Sequence, residues 1–379
     1  MNREARNLGS YGVQSRDDTL ICPLSATQTA IFDLVPLGES PPSGPDDAMA
    51  EGVFISLKLL LTYAHRQNHR RRTQPPPPIS AQKKAIPIYN LLRAILARLK
   101  HQESVEQLNN LLGPLCHVME SARLNPLPSF KVTATPGTPP VQLPQAEQTI
   151  LSLVDRLETI ATFSMSESTI ITIAARIYSF PVGCTFSISL SPDSPLMGIC
   201  PPPATLTSYP ALRDYIQYFT ACAIATSIAT IPSSPDLDEA STETHGKWHQ
   251  TPHPTTLRTI VPASTTGTKL PKTKQLSISI EPITSGTKNG IKLRAYWEWT
   301  GKEQQEGTRT GERKSSFGFP VLLDDVQKAL KEDDKKPKRA LGEGVYDWVA
   351  WEKESGKEWD DGEGEVFRTL ESVVAEAGQ

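Results

Sequence analysis

Four consecutive prolines at positions 75–78 constrain this chain most, because neither a helix nor a central sheet strand continues through such a run. We expect them to form a stiff polyproline II spacer of about 3.1 Å per residue. Before them, from Phe54 to Tyr63, apolar side chains recur at helical spacing on a broad face. The sequence therefore predicts a helix over residues 47–72 that the prolines stop.

The end of this predicted helix is a concentrated basic run. It consists of His65, Arg66, His69, Arg70, Arg71 and Arg72. Cations suit the negative end of a helix dipole, so the simplest interpretation is a solvated helix end. The alternatives are a nuclear-import signal, a phosphate-binding patch, or a docking site for an acidic partner. These six residues are candidate partner-binding residues.

Charge is distributed unevenly along the chain, although the formal net charge is only −3. Residues 51–100 contain ten Lys or Arg and one acid, a net of +9. Residues 301–379 contain thirteen Lys or Arg and nineteen acids, a net of −6. This asymmetry indicates local interaction surfaces, and it argues against a general binder of polyanions.

The cysteines and the apolar runs indicate the compartment. The five cysteines are widely spaced and include no CxxC pair, which predicts a reducing environment without a disulfide framework or a zinc ribbon. The sequence shows no signal peptide and no apolar run long enough to span a bilayer. We therefore expect a soluble nuclear or cytoplasmic protein that does not bind membranes.

The predicted fold class is α+β, with N-terminal helical segments followed by a small antiparallel sheet packed by helices, and with long disordered linkers. The 33 prolines mark those linkers. We expect two halves of one C-terminal domain, separated by a disordered insert. The predicted segments are an irregular 1–45, a helical 46–123 with the basic run and the proline spacer, a linker at 124–144, a helix–strands–helix half at 145–230, a disordered Ser/Thr/Pro-rich insert at 231–274, and a half with a β-hairpin and helices at 275–379.

Periodicity within these segments predicts individual elements. We expect a short helix or strand at 30–35, a helical block from Ile88 to Leu115 that is broken midway and kinked at Pro114, and a helix from Pro210. A further helix is expected after Pro144, with Leu157 and Ile160 on its apolar stripe. The last helix is expected over 365–375.

Alternating apolar residues predict two hairpins. The first joins strands at 171–177 and 186–190 through a turn at 181–183, with a third strand at 196–200. The second joins 276–280 to 291–299, with Asn289-Gly290 marking the turn region. Beyond them we expect a helix ending near Leu330 and a charged loop at 333–339.

Motifs of catalytic and metal chemistry are missing from the sequence. It contains no Walker-type phosphate loop, no dinucleotide-binding glycine motif and no GxSxG elbow. His245, His249 and His253 are spaced four apart and could bind zinc on a helix, but their Pro- and Thr-rich surroundings predict a solvated linker instead. His101 and His117 have no acidic or thiol partner at catalytic spacing. We predict no catalytic, cofactor-binding or metal-binding residue and no small-molecule substrate.

The tryptophans fall into two groups. Trp297 and Trp299 share a strand face with Ile291 and Leu293, which predicts core packing. Trp348 and Trp351 are candidate partner-binding residues, because tryptophan is enriched at the energetic centres of protein interfaces.

Several segments of the sequence resemble subunit 17 of the Mediator complex in filamentous fungi. They are residues 59–78 (LLLTYAHRQNHRRRTQPPPP), 88–93 (IYNLLR), 3–8 (REARNL), 209–216 (YPALRDYI) and 220–223 (TACA). The resemblance covers residues 1 to about 230 well and the remainder loosely. Family members carry a long helical N-terminal half, and this sequence starts near its end. We therefore expect it to correspond to the C-terminal part of the family, as a fragment or a truncated gene model.

The resemblance implies a non-enzymatic scaffold of the Mediator head module, a nuclear transcription coactivator that links regulators to RNA polymerase II. The implied partners are the other head subunits and, through the complex, the polymerase machinery. The alternative is an independent nuclear regulator that binds nucleic acid through residues 65–72. The basic run has no interleaved aromatic residues for stacking bases, which argues against direct nucleic-acid binding.

Overall fold

The computed structural model describes residues 2–9, 12–16, 19–24, 28–33, 47–73, 91–136, 157–179, 182–230, 247–261, 272–285, 288–300, 344–352, 359–360 and 368–378. Helices and antiparallel sheets make up these residues, so the predicted α+β fold class is confirmed. The chain divides into two compact units. The first comprises Met1–Gly113, Ser129–Met197 and Pro201–Asp214, and the second comprises Pro114–Pro128, Gly198–Cys200 and Tyr215–Gln379.

Five α-helices are described. They are α1 (Asn2–Asn7), α2 (Asp47–Thr73), α3 (Leu92–Ser121), α4 (Tyr209–Thr230) and α5 (Leu370–Gly378). The helices predicted at 47–72 and from Pro210 are confirmed as α2 and α4. The predicted stripe of α4 is buried at Leu212, Ile216, Phe219 and Cys222. None of the described helices has the length and apolar character needed to cross a bilayer.

Helix α3 is longer than the sequence predicted. The expected break near residue 100 is wrong, because α3 is continuous from Leu92 through Pro114 to Ser121. The polar residues at the expected break are accommodated inside the helix. The Ser104 hydroxyl donates a 2.8 Å hydrogen bond to the carbonyl of His101, and the His101 ring itself is buried against Thr159.

A three-stranded antiparallel sheet lies within the segment that was expected to be irregular. Its strands are β1 (Gln14–Arg16), β2 (Thr19–Pro23) and β3 (Thr29–Asp33), in that order. Strand β3 confirms the short helix or strand expected at 30–35, whereas the prediction of an otherwise irregular 1–45 is wrong for α1, β1 and β2. Their core consists of Leu20 and Cys22 packed with Leu8 of α1 and Leu92 of α3.

The first unit also contains a four-stranded antiparallel sheet. Its strands are β4 (Ser129–Pro136), β5 (Leu157–Ser164), β6 (Ile170–Ser179) and β7 (Val182–Leu190), in that order. The hairpin predicted around residues 181–183 is confirmed as β6 and β7. Alternate residues of β5 are buried from Leu157 to Phe163, so one face of the sheet forms core.

Three predictions for this region are wrong. The linker expected at 124–144 contains strand β4, whose Pro- and Thr-rich flanks hid a short run of strand-forming residues. Leu157 and Ile160, expected on the apolar stripe of a helix after Pro144, lie in β5 and point to opposite faces, and the earlier part of that predicted helix lies outside the described residues. The third strand expected at 196–200 is a 3-10 helix at Pro195–Gly198.

The second unit contains a six-stranded antiparallel sheet. Its strands are β8 (His249–Gln250), β9 (Thr256–Val261), β10 (Lys272–Ser285), β11 (Lys288–Thr300), β12 (Gly344–Glu352) and β13 (Trp359–Asp360), in the order β13-β12-β11-β10-β9-β8. The disordered insert expected at 231–274 is thus wrong for 247–261 and 272–274. In β9 the exposed alternate positions hold Arg258 and Ile260, and Leu257, Thr259 and Val261 are buried.

The second hairpin is confirmed, but its turn is displaced from the expected position. Ser285 pairs with Lys288, so β10 and β11 are joined between these two residues and not at Asn289-Gly290. Asn289 and Gly290 lie inside β11, paired with Thr284 and Ile283. The strand pairing, which continues to Lys288, outweighs the local turn preference of the Asn-Gly pair.

Tryptophans form much of the core of this sheet. Trp297 of β11 lies over Gly344 of β12, where the Cβ of any other residue would overlap its indole ring. Trp299 is half-buried, with the Lys274 ammonium 4.5 Å from its ring centroid. The predicted core role of Trp297 is therefore confirmed.

The last helix, α5, begins at Leu370 rather than at 365. The proline spacer, the helix expected near Leu330 and the loop at 333–339 lie outside the described residues.

Candidate interaction surface

Helix α2 uses only one side to pack against the first unit. Leu60 is buried in a cluster with Ala94, Ile95 and Leu99 of α3. Val53 and Leu57, which lie on the same side at helical spacing, are partly buried against that cluster. This side anchors α2 through apolar contacts, and it leaves the remaining surface of the helix open to solvent.

The open surface of α2 is apolar in its first half. Phe54 is 63% exposed and Leu61 is 58% exposed, and these residues lie seven positions apart on one side of the helix. Ile55 and Leu59 form a second exposed apolar stripe at a spacing of four. Exposed apolar side chains are common singly, but neighbouring stripes on one helix indicate a contact surface for another molecule.

The basic run continues these two stripes along the same helix. His65 and Arg72 follow Leu61 by four and eleven residues, which places them on the Phe54 stripe. Arg66 and Arg70 continue the Ile55 stripe in the same way. All six residues of the basic run are exposed. We name these two stripes and the basic run the α2 surface.

The α2 surface has the dimensions of a helix-binding site. Helix α2 contains 27 residues, which corresponds to about 40 Å. It offers apolar side chains over its first turns and guanidinium groups over its last turns. A complementary partner would therefore be an amphipathic element whose apolar face meets Phe54 and Leu61 and whose acidic end meets the arginines.

The two tryptophans predicted as partner anchors lie elsewhere, in β12 of the second unit. Trp348 is completely buried, and its indole N–H donates a 2.8 Å hydrogen bond to the carbonyl of Arg368. Its ring also meets Tyr346 edge-on, at 4.7 Å between centroids. In this conformation Trp348 is a core residue and presents no surface to a partner. The backbone of Trp351 pairs with Gly290 and Asp360, and its side chain lies outside the described residues.

Two of the three histidines considered for metal binding lie on the surface of the part of the chain that the structure describes. His249 lies in β8 and His253 in the turn before β9, both exposed, and His245 lies outside the described residues. The His253 ring is within hydrogen-bonding distance, 3.0 Å, of the Thr255 hydroxyl. Within the described ranges, no three His, Cys, Asp or Glu side chains are grouped to hold a metal ion.

Two buried thiols of the second unit influence one another. The hydrogen bond between the two thiols lowers the pKa of Cys200 to about 7 and raises the pKa of Cys222. All five cysteines are free thiols. Cys222 and Tyr215 are the groups that favour the Cys200 thiolate, and neither is the histidine or other base on which a nucleophilic thiol normally depends. We assign this pair a structural role.

His101 of α3 connects this helix to the four-stranded sheet. Its Nε2 lies 3.0 Å from the Thr159 hydroxyl of β5, and both residues are buried. Burial lowers the pKa of His101, and the positive charge of Arg98 acts in the same direction. A hydrogen bond with the backbone of Glu158 partly opposes them. The neutral imidazole therefore joins α3 to the sheet.

We expect His101 to make the first unit sensitive to acid. Its pKa is 6.5 in an unfolded chain and lower in the folded one, so its contribution is complete above pH 6.5. That contribution is lost as the pH falls through the folded pKa, because the unfolded chain binds the proton first. Between about pH 7.5 and pH 5, the midpoint temperature of thermal unfolding should fall more steeply with decreasing pH for wild type than for His101→Gln. Equal slopes would contradict this assignment.

Comparison with known proteins identifies relatives. Residues 1–119, which include the α2 surface, match the family described as subunit 17 of the Mediator complex. Mediator of RNA polymerase II transcription subunit 17 from Emericella nidulans is 41% identical over 154 residues, which cover 38% of this chain and 24% of the relative. The same subunit from Aspergillus terreus is 31% identical over 260 residues, which cover 65% of this chain and 40% of the relative.

A third relative shows a similar level of identity and coverage. The same subunit from Coccidioides immitis is 37% identical over 163 residues, which cover 41% of this chain and 23% of the relative. The matched part of this chain thus spans 40% or less of the length of each of these three relatives.

Proposed function

We propose that this chain, which belongs to the Mediator subunit 17 family, is a non-enzymatic scaffold subunit of the Mediator head module in the nucleus. In this role it contributes to a transcription coactivator that links regulators to RNA polymerase II. Its partners are the other head subunits and, through the complex, the polymerase machinery. The observation that carries the proposal is the α2 surface, which lies within the segment matched to the family.

The physical argument starts from the exposed apolar side chains. Fully burying a side chain such as Phe or Leu contributes roughly 1.5–3 kcal/mol. Two exposed stripes on one helix therefore supply a driving force that is unused in the isolated chain. The guanidinium groups at the end of the same helix orient an acidic partner and exclude a basic one. This combination suits a binding surface, and a scaffold subunit functions through such surfaces.

The test is recovery of partners from fungal nuclear extract with the tagged full chain. We expect wild type to recover other Mediator subunits. The double variant Phe54→Glu with Leu61→Glu should recover at least about tenfold less of the α2 partner, because tenfold corresponds to about 1.4 kcal/mol. The matched control is Ile260→Glu, since Ile260 of β9 is 61% exposed but lies outside α2.

The possible outcomes separate the alternatives. Equal recovery by the double variant and the control would remove α2 as the binding surface. Failure of wild type to recover any Mediator subunit would refute the scaffold function. The alternative function is a nucleic-acid-binding regulator, which the exposed basic run favours. Binding to DNA that weakens with added salt, with a slope that falls in Arg70→Ala/Arg71→Ala/Arg72→Ala, would support that alternative.

A further inference from the structure

Strand β4 lies at the edge of the four-stranded sheet of the first unit. It pairs with β5 along its whole length, from Ser129 opposite Ser164 to Pro136 opposite Leu157. Among the residues that the structure describes, no strand pairs with its other edge. Alternate N–H and C=O groups of β4 therefore point outward without a neighbouring strand to bond.

The core side of β4 is also uncovered. Phe130, Val132 and Ala134 pair with Phe163, Ala161 and Thr159, and directly paired residues share one side of a sheet. These three partners in β5 are completely buried. Phe130 is nevertheless 37% exposed, Ala134 is exposed and Val132 is half-buried. The layer that covers the sheet thus reaches β5 and stops short of β4.

Within the described residues, strand β4 lacks the sequence features that usually prevent strand addition at an edge. Natural edge strands are blunted by short length, bulges, proline, or a charge on the side that faces the core. Strand β4 has eight residues, pairs in continuous register, and carries proline only at its end. Its one charged residue, Lys131, alternates with Phe130 and Val132 and therefore lies on the opposite face. The apolar face of β4 therefore carries no charged residue that would prevent another strand from pairing with it.

We propose that β4 is a docking strand, which binds an extended segment of another polypeptide of the assembly as a fifth strand of this sheet. The inference rests on the proposed scaffold function, because it requires a partner chain. An outward row of main-chain donors and acceptors is matched only by extended backbone. The added strand carries apolar residues at alternate positions, which cover Phe130 and Val132, and an acidic residue on the other face near Lys131.

A second copy of this chain fits the edge less well than a different polypeptide does. Pairing two copies of β4 with their apolar sides together places both Lys131 ammonium groups on one face of the sheet. Where the two lysines lie directly opposite one another, their like charges destabilise the pair, whereas an acidic residue from another chain opposite Lys131 stabilises it. The proposal therefore commits to a segment of a different subunit.

The test combines amide exchange with one pair of variants of the tagged full chain. In the purified assembly, amides of residues 129–135 should exchange at least about tenfold more slowly than in the chain alone, the size expected for a stabilisation of about 1.4 kcal/mol. Val132→Lys places an ammonium group on the apolar face and should reduce recovery of one subunit by about tenfold. The control Thr133→Lys adds the same charge to the opposite face and should leave recovery within about twofold of wild type.

The outcomes distinguish this inference from the proposed function. If wild type recovers Mediator subunits while the edge amides stay unprotected, or Val132→Lys behaves like Thr133→Lys, the docking strand is refuted and the scaffold function stands. If wild type recovers no Mediator subunit, both are refuted. A dimer of the chain alone that Val132→Lys dissociates would identify a second copy as the occupant and overturn the proposal. The exchange measurement requires no variant, so misfolding of Val132→Lys would not prevent a decision.

Discussion

Replacing Trp348 with alanine is expected to lower the free energy of unfolding of the second unit by about 3–5 kcal/mol. Trp348 is completely buried in β12, paired with Leu293 of β11. The substitution removes the indole from the core and leaves a cavity that the rigid sheet cannot close. It also removes the 2.8 Å hydrogen bond to the carbonyl of Arg368, which leads into α5.

Chemical denaturation followed by circular dichroism measures this effect. Trp348→Phe retains an aromatic ring but loses the N–H donor, so its stability should lie between those of wild type and Trp348→Ala. The control is Val345→Ala on the same strand, because Val345 is exposed and its truncation should change stability by less than about 1 kcal/mol. A Trp348→Ala protein as stable as Val345→Ala would show that the indole is not part of the core.

Replacing Glu4 with alanine is expected to destabilise the first unit by roughly 1.5–3 kcal/mol. The Glu4 carboxylate accepts three backbone hydrogen bonds at the start of α3. Oε2 accepts from the N–H groups of Leu91 and Leu92, both at 3.0 Å, and Oε1 accepts from that of Arg93 at 2.8 Å. These donors have no partner within the helix, and the negative charge also meets the positive end of the helix dipole.

A graded pair of variants tests the charge as well as the hydrogen bonds. Glu4→Gln keeps one acceptor oxygen and loses the charge, so it should be destabilised less than Glu4→Ala. The control is Glu106→Ala, which removes an exposed carboxylate from the middle of α3 and should change stability by less than about 0.5 kcal/mol. If Glu4→Ala unfolds at the same denaturant concentration as this control, the carboxylate does not stabilise the helix start.

The elements that could be predicted from the sequence are those with long and regular patterns. Helix α2 and helix α4 have apolar residues at helical spacing over many turns, and β6, β7, β10 and β11 each contain a run in which apolar and polar residues largely alternate. The proline run also marks the end of α2 correctly. In these elements local preference and tertiary packing agree, so the pattern alone is sufficient.

The elements that the sequence did not reveal are short or stabilised by distant residues. Strands β1, β2 and β4 have only three, five and eight residues. Residues near 100 in α3 look like a helix break, but His101 is satisfied by Thr159, 58 residues away. Glu4 acts on backbone groups 87 to 89 residues away. No local rule connects such partners.

The candidate surface was only partly predictable. The basic run is visible in the sequence, because cations cluster before the prolines. The exposure of Phe54 and Leu61 could not be predicted from the sequence, because a broad apolar face is equally typical of a buried helix. The opposite error was made for Trp348. It was predicted to anchor a partner because tryptophan is common at interfaces, but its side chain is buried in the core.

The tryptophans that pack the six-stranded sheet also make the two units optically distinct. All six tryptophans of the chain, from Trp248 to Trp359, belong to the second unit, and the first contains none. Indole emission therefore reports unfolding of the second unit alone, while the far-ultraviolet signal reports both. A denaturant titration followed by both indole fluorescence and far-ultraviolet circular dichroism can therefore assign a destabilising substitution to its unit in the intact chain.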